Sequence, residues 1–193
     1  MEKKNISTGS SDEELMRAVC LDNLYAFELL YQRYKNPVIF FTCRMVQDYQ
    51  KAEDITQEIF LRILKKKKSY DKSKKFSSWL YRIAANACID EIRRLKFTGK
   101  IKEEKLNNTT KGPEDAPFRD IEKKELENIV KDALNKLPAE QKTVVILHKY
   151  QDLTYEEIAE IFNKDFNWVK WQLKLAYDSL EELLKPYLKQ ELP

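Results

Sequence analysis

Apolar residues recur in steps of three and four along most of this chain of 193 residues, and that spacing restricts the fold class more than any other feature. Phe27, Leu30, Tyr31, Tyr34, Val38, Phe41 and Met45 fall on one helical face. Pro37 lies inside this pattern and is expected to kink or divide it, because its ring removes a donor and crowds the preceding turn. Ala52, Ile55, Ile59 and Ile63 mark a second helix. Phe76, Leu80, Ile83, Ala84, Ala87 and Leu95 mark a third. Ahead of them, Ser11 and Glu14 have the spacing of a capping box, which predicts a helix start at Ser11. Strand alternation is missing, and 3 Gly and 6 Pro are too few to punctuate an all-β fold. Helices of this length are marginal alone, so they must pack as a bundle. The expected fold is all-α.

The periodicity lapses over residues 98–124, where Gly99, Gly112, Pro113, Pro117 and Asn107-Asn108-Thr109-Thr110 give linker composition. It resumes at Leu126, Ile129, Val130, Ala133 and Leu134, and Leu137-Pro138 restarts a helix. The expected layout is a disordered stretch over residues 1–10, a helical domain over 11–97, a flexible linker over 98–124, a second helical domain over 125–188 and a tail over 189–193. Within the second domain, Thr154 and Glu157 form another capping box. A short helix from Tyr155 to Phe162 follows, then a tight turn at Asn163-Lys164-Asp165, where Asn163 tolerates a left-handed backbone. A longer helix has Val169, Leu173, Ala176, Leu180 and Leu184 as its inner face. This is helix-turn-helix geometry, with Asn167, Trp168, Lys170, Trp171 and Lys174 as groove-facing candidates. A plain helical hairpin fits the same spacing. The second helix has no arginine near its start, although arginine is the usual reader of guanine.

Several function classes drop out. No apolar run reaches the ~20 residues a membrane helix needs, so no membrane insertion is expected. Met1 to Leu15 is polar, so no secretory signal is expected either. Cys20, Cys43 and Cys88 lie among apolar neighbours and read as buried reduced thiols of a cytoplasmic protein. His148 is the single histidine and has no CxxC beside it, so no metal site is expected. Neither a nucleophile–base pair nor a phosphate loop is present, so the expected chain is not an enzyme and takes no cofactor or small-molecule substrate.

The formal net charge of +3 conceals an asymmetry. Leu61 to Lys105 carries 15 basic against 5 acidic residues, about +10, whereas Glu125 to the end carries 9 basic against 13 acidic, a net of −4. A concentrated basic segment fits a polyanion partner, though a solvated lysine face has the same composition. Inside that segment Trp79, Arg82, Asn86, Asp90 and Arg93 fall on one helical stripe, next to Arg94. Amide, guanidinium and indole groups on one solvated face suit single-stranded nucleic acid. The alternative is that Trp79 is core and the stripe only solubilises, with Asp90 pairing Arg93 or Arg94.

These residues also carry a resemblance. Ala52-Glu53-Asp54-Ile55-Thr56-Gln57-Glu58-Ile59-Phe60-Leu61-Arg62 resembles the polymerase-binding helix of bacterial sigma factors. Lys75-Phe76-Ser77-Ser78-Trp79-Leu80-Tyr81-Arg82-Ile83-Ala84-Ala85-Asn86, with Asp90-Glu91-Ile92-Arg93-Arg94, resembles their promoter-melting and minus-ten segments. Leu137-Pro138 and Leu153-Thr154-Tyr155-Glu156-Glu157-Ile158-Ala159 resemble their C-terminal helix-turn-helix. The two-domain layout is similar to the extracytoplasmic-function group. The resemblance implies a region 2 bundle and a region 4 helix-turn-helix, with core RNA polymerase, promoter DNA and an anti-sigma factor as partners. It implies polymerase binding by Asp54, Gln57, Glu58 and Arg62. Base capture would fall to the loop from Lys65 to Lys75, with Lys67, Lys68, Lys74 and Lys75 on the DNA. Minus-ten contact would fall to Trp79, Arg82, Asn86, Asp90, Arg93 and Arg94. Upstream contact would fall to Thr154, Asn167, Trp168, Lys170, Trp171 and Lys174.

The chain departs from the family at the recognition helix. Places where the family usually has arginine hold Gln172, Leu175 and Tyr177, and a small-residue place holds Trp171. Minus-thirty-five recognition is therefore expected to be weak, to read a different sequence, or to be partly replaced by a protein contact. A helix-turn-helix regulator acting without polymerase is the alternative, but it gives Asp54, Gln57 and Glu58 no work. A sigma-like adaptor with weak DNA binding is a further one.

Overall fold

The computed structural model describes residues 6–97 and 121–188, and among them every regular element is helical. The first domain contains α1 (Asp12–Val19), α2 (Leu24–Val46), α3 (Tyr49–Lys66), a 3-10 turn (Lys67–Ser69) and α4 (Phe76–Phe97). The second contains α5 (Ile121–Lys136), α6 (Ala139–Tyr150), α7 (Tyr155–Phe162) and α8 (Phe166–Leu188). Most of the expected linker, residues 98–120, and the tail 189–193 lie outside the described residues.

The helix starts follow local chemistry. Ser11 and Glu14 make both bonds of the capping box on α1. Asn23 caps α2 and Asp48 caps α3 through side-chain oxygens. Phe76 N–H at the start of α4 donates to Glu13 Oε1 at 3.1 Å, so a carboxylate from α1 covers one of α4's free donors. Such caps contribute on the order of 1 kcal/mol each.

Pro37 does not divide its helix: α2 runs unbroken through it. Leu30, Val38 and Phe41 are buried on either side, and that packing holds both halves in one helical path. Residues 6–10, expected to be disordered with the rest of the first ten, form a turn in which Ser10 N–H donates to the Ser7 carbonyl. Arg33 pins this turn through the Thr8 and Ser10 carbonyls at 3.0 and 3.2 Å.

In the first domain α2 lies between α1, α3 and α4, around Leu15, Met16, Leu30, Phe41, Ile59, Ile63, Phe76 and Leu80. Burying each of these side chains stabilises by roughly 1.5–3 kcal/mol. Thr42 and Thr56, fully sheltered between α2 and α3, share a hydroxyl contact of 3.1 Å, and Thr42 also donates to the Val38 carbonyl. In the second domain α8 carries α5, α6 and α7 on Val169, Leu173 and Ala176. Of the cysteines only Cys88 is buried. Cys20 and Cys43 are half-buried, against the expectation of three sheltered thiols.

The domains also pack on one another, through α4 against α7 and α6, and α2 against α6. Lys142 of α6 is buried at this junction. Its ammonium donates to the Met45 carbonyl at 2.7 Å and to Asn135 Oδ1 at 2.6 Å. Burial lowers its pKa from 10.5 to about 8, and burial raises the Cys88 thiol from 9.0 to about 12. Above about pH 8 the folded chain therefore binds fewer protons at Lys142 than the unfolded chain does. Above 9.0 it binds more at Cys88. Stability is expected to rise by about 1 kcal/mol between pH 8 and 9, and then to level as Cys88 offsets the gain. Urea denaturation at stepped pH measures this. Lys142→Met should flatten the rise, and a fall over that window in the native chain would contradict it.

Candidate nucleic-acid and polymerase interface

One face of α3 is buried through Ala52, Ile55, Ile59 and Ile63, as the spacing predicts. The opposite face presents Asp54, Gln57 and Glu58 to solvent. Arg62 reaches back to Glu58, with Nε and Nη2 at 3.1 and 2.7 Å from the same carboxylate oxygen. Leu61 sits on this acidic face and is 55% exposed. Sequence reasoning missed it, although its place one turn beyond Gln57 and Glu58 was a readable signal. An exposed leucine ringed by charges is the composition of an anchor in a protein contact.

The lysine-rich loop after α3 is fixed at its ends. Lys67 pairs with Asp22, and its carbonyl accepts from Cys20 Sγ at 3.1 Å. The Lys67 hydrogen bond holds the Asp22 carboxyl below its ordinary pKa. Tyr70 is buried beneath Trp79 and Phe76, with ring centroids 5.3 and 6.4 Å away, and its hydroxyl donates to the Lys74 carbonyl at 2.6 Å. Burial raises the Tyr70 hydroxyl to about 12, so it stays a donor at neutral pH. Between these anchors Lys68, Lys72, Lys74 and Lys75 remain exposed. Asp71 closes a small turn on Ser73, and those bonds hold its carboxyl below the ordinary range.

The stripe on α4 is only partly as expected. Asn86, Asp90, Arg93 and Arg94 are exposed. Trp79 is half-buried against Tyr70 and Phe76, so it walls the loop and presents only part of its ring. Arg94 pairs with Glu91 at 2.7 and 2.8 Å, and this hydrogen-bonded pairing lowers the Glu91 carboxyl. Arg93 lies 3.8 Å from Glu140 of α6. Arg82 is half-buried and turned toward the second domain: Nε and Nη2 meet the Ile161 and Glu160 carbonyls at 3.0 and 2.6 Å. Lys74 and Lys75 likewise face Glu160 and Glu157, at 2.9 and 2.8 Å.

In the second domain α7 spans the expected residues. Thr154 makes both bonds of its capping box with Glu157, and Asn163 ends the helix in the left-handed region, at φ 53°. Thr154's hydroxyl therefore serves the helix end. Asp165 caps α8 by accepting from Trp168 N–H at 2.7 Å. Asn167, Lys170, Trp171 and Lys174 are exposed along the start of α8. Trp168 instead stacks on Phe162 at 5.1 Å and closes the turn, with its ring half-buried. Gln172 is buried, so that missing arginine place faces the domain interior and removes nothing from a groove-facing surface.

An acidic face on α3, a lysine-rich loop braced against Trp79 of α4, and a helix-turn-helix are the surfaces expected of a class of factor that joins a protein partner to DNA. Comparison with known proteins gives this class its family. The sigma-70 region 2 family model matches residues 30–98, and the sigma-70 region 4 model matches residues 127–179. The ECF RNA polymerase sigma factor SigW of Bacillus subtilis is 33% identical over 173 residues, covering 83% of this chain and 89% of that protein. The ECF RNA polymerase sigma-E factor of Haemophilus influenzae is 30% identical over 185 residues, covering 92% and 97%. Among solved structures, CnrH in complex with the cytosolic domain of CnrY has a TM-score of 0.70 at 20% identity, covering 92% of this chain and 99% of that one. The sigma factor RpoE from Bartonella quintana, in complex with the anti-sigma factor NepR, has a TM-score of 0.64 at 23% identity, covering 82% and 96%. The two structures share the fold.

The chain belongs to the sigma-70 family of RNA polymerase sigma factors, in its extracytoplasmic-function group. Its function is polymerase-dependent, promoter-directed initiation of transcription. Among the described residues no helix is long and apolar enough to cross a membrane.

Proposed function

We propose a division of labour in which α3 seats the chain on core polymerase and the first domain reads and melts the minus-ten region. Asp54, Gln57, Glu58 and Arg62, with Leu61 at their centre, form the polymerase contact. Lys67, Lys68, Lys74 and Lys75 line the path of the displaced strand. Trp79, Arg82, Asn86, Asp90, Arg93 and Arg94 form the minus-ten surface. The observation that carries this reading is the loop from Lys67 to Lys75, braced by Cys20 and Tyr70 and walled by Trp79 of α4, on the same helix whose exposed face carries Asn86. Unstacking a base costs a few kcal/mol, which a stacking wall and a cationic channel offset. No covalent chemistry is asked of the chain.

The second domain holds upstream DNA through Asn167, Lys170, Trp171 and Lys174, with Thr154 and Trp168 supporting the turn. Exposed Trp171 also suits a protein anchor, and an anti-sigma factor is the regulatory partner this reading expects. The complex of RpoE with the anti-sigma factor NepR supports this partner class. The chain works in the cytoplasm, where polymerase is. Phosphate neutralisation supplies most non-specific affinity, and the two exposed lysines near the start of α8, Lys170 and Lys174, supply little of it. Promoter choice is therefore expected to depend more on the first domain. On a responsive promoter, scrambling the minus-ten element should reduce run-off transcript about tenfold more than scrambling the upstream element. An equal or larger loss from the upstream change would contradict this.

A further inference from the structure

Resting on the minus-ten reading above, we propose that α1 is a strut that shapes the lysine-rich loop for strand opening, with Glu13 and Cys20 as its positioning residues. The loop from Lys67 to Lys75 is held at both ends by this one helix. At the far end, Glu13 Oε1 in the first turn of α1 accepts from Phe76 N–H at 3.1 Å. At the near end, Cys20 Sγ at the C-terminal cap of α1 donates to the Lys67 carbonyl at 3.1 Å. Asp22 turns back in the left-handed region, at φ 67°, and adds an ion pair with the Lys67 ammonium. Glu13 and Cys20 are half-buried, so they act through the loop and not on DNA.

The strut is itself fixed. Leu15, Met16 and Val19 are fully buried in the core of the first domain, and the Ser11–Glu14 capping box closes the start of α1. At its other end the Leu21 and Asn23 N–H groups donate to the Ala18 carbonyl, and Asp22 N–H donates to the Val19 carbonyl. Helix rise separates Glu13 from Cys20 by about 10 Å. The chain from Lys67 to Phe76 could extend about 30 Å if it were free. So α1 ties the two ends of the loop to points about a third of that reach apart. Inside, Tyr70 fills the floor and holds the Lys74 carbonyl, while Lys68 and Lys72 stay exposed on the rim. A loop shaped before DNA arrives loses less freedom when it takes up a strand, and that saving appears as faster opening.

The test is strand opening by the full chain with core polymerase on a duplex promoter, read by permanganate reactivity of unpaired thymines, with a pre-melted bubble template beside it. Glu13→Ala with Cys20→Ala removes both bonds and should slow opening about tenfold, with polymerase binding unchanged and most of the loss recovered on the bubble. Glu13→Gln with Cys20→Ser keeps an acceptor and a donor at the same two places and should open within about twofold of the native chain. Ser11→Ala weakens the cap of α1 without touching the loop. It should lower the urea midpoint and yet open the duplex normally. Native opening by the alanine pair would overturn the strut. So would equally slow opening by Ser11→Ala, or by the glutamine and serine pair, since general loosening of α1 would then explain the defect. Lys68→Ala with Lys72→Ala separates the two readings. If this lysine pair slows opening while the alanine pair does not, the strut alone has failed. If neither pair changes opening, the minus-ten reading of the loop has failed with it.

Discussion

Reversing Asp54 and Glu58 to lysine together is expected to lower affinity for core RNA polymerase on the order of 100-fold. Both carboxylates are exposed on α3, opposite Ile55, Ile59 and Ile63, so the reversal changes surface charge and leaves the packed face alone. Within the chain it breaks the ion pair between Glu58 and Arg62, and an exposed pair at this spacing contributes only about 0.3–0.5 kcal/mol. A large binding defect in a chain of unchanged helical content would therefore belong to the interface. Leu61→Ala should weaken the same complex about tenfold, because it removes an anchor that is 55% exposed in the free chain. A pull-down against core enzyme, with circular dichroism of each variant, measures both. Undiminished binding by the double reversal would take α3 out of the interface.

Asn86→Ala is expected to reduce strand opening at a duplex promoter about tenfold, while polymerase binding stays intact. Asn86 is exposed on α4 between buried Ala85 and Ala87, and among the described residues no protein group engages its amide. Its removal costs the fold little, so a defect would report contact with DNA. One well-placed amide contact to a base edge is worth about 1–3 kcal/mol. Permanganate reactivity of unpaired thymines measures opening, and a pre-melted bubble template should recover part of the loss. Normal opening by the variant would reduce the stripe to solvated surface.

Local chemistry made much of the fold legible. Ser11 with Glu14, and Thr154 with Glu157, announced two helix starts, because a capping box needs only residues three apart. Asn163 announced the end of α7 for an equally local reason, its tolerance of a left-handed backbone. Periodicity located the inner faces of α3, α4 and α8 and, by exclusion, the exposed Asp54, Gln57, Glu58 and Asn86. What stayed hidden depends on contacts far apart in sequence. Arg82 looks like one more solvated cation until α7 comes against it, its two bonds spanning 78 and 79 residues of sequence. Lys142 reads as a surface lysine in α6 and is buried only because α2 ends beside it. Gln172 and Trp168 were misplaced by helical phase: Gln172 turns inward, and Phe162 draws Trp168 back over the turn. Pro37 shows packing overriding a local rule, since buried neighbours on both sides keep α2 whole.

Run-off transcription with purified core polymerase tests the central claim most directly. Core enzyme with this chain, on a library of genomic promoter fragments, should yield discrete transcripts from a small subset of templates. Core enzyme alone should yield none of these, and the chain with Asp54 and Glu58 reversed should yield few. Transcripts that do not depend on adding the chain, or its failure to support initiation on any fragment while binding DNA as a free regulator, would contradict the account.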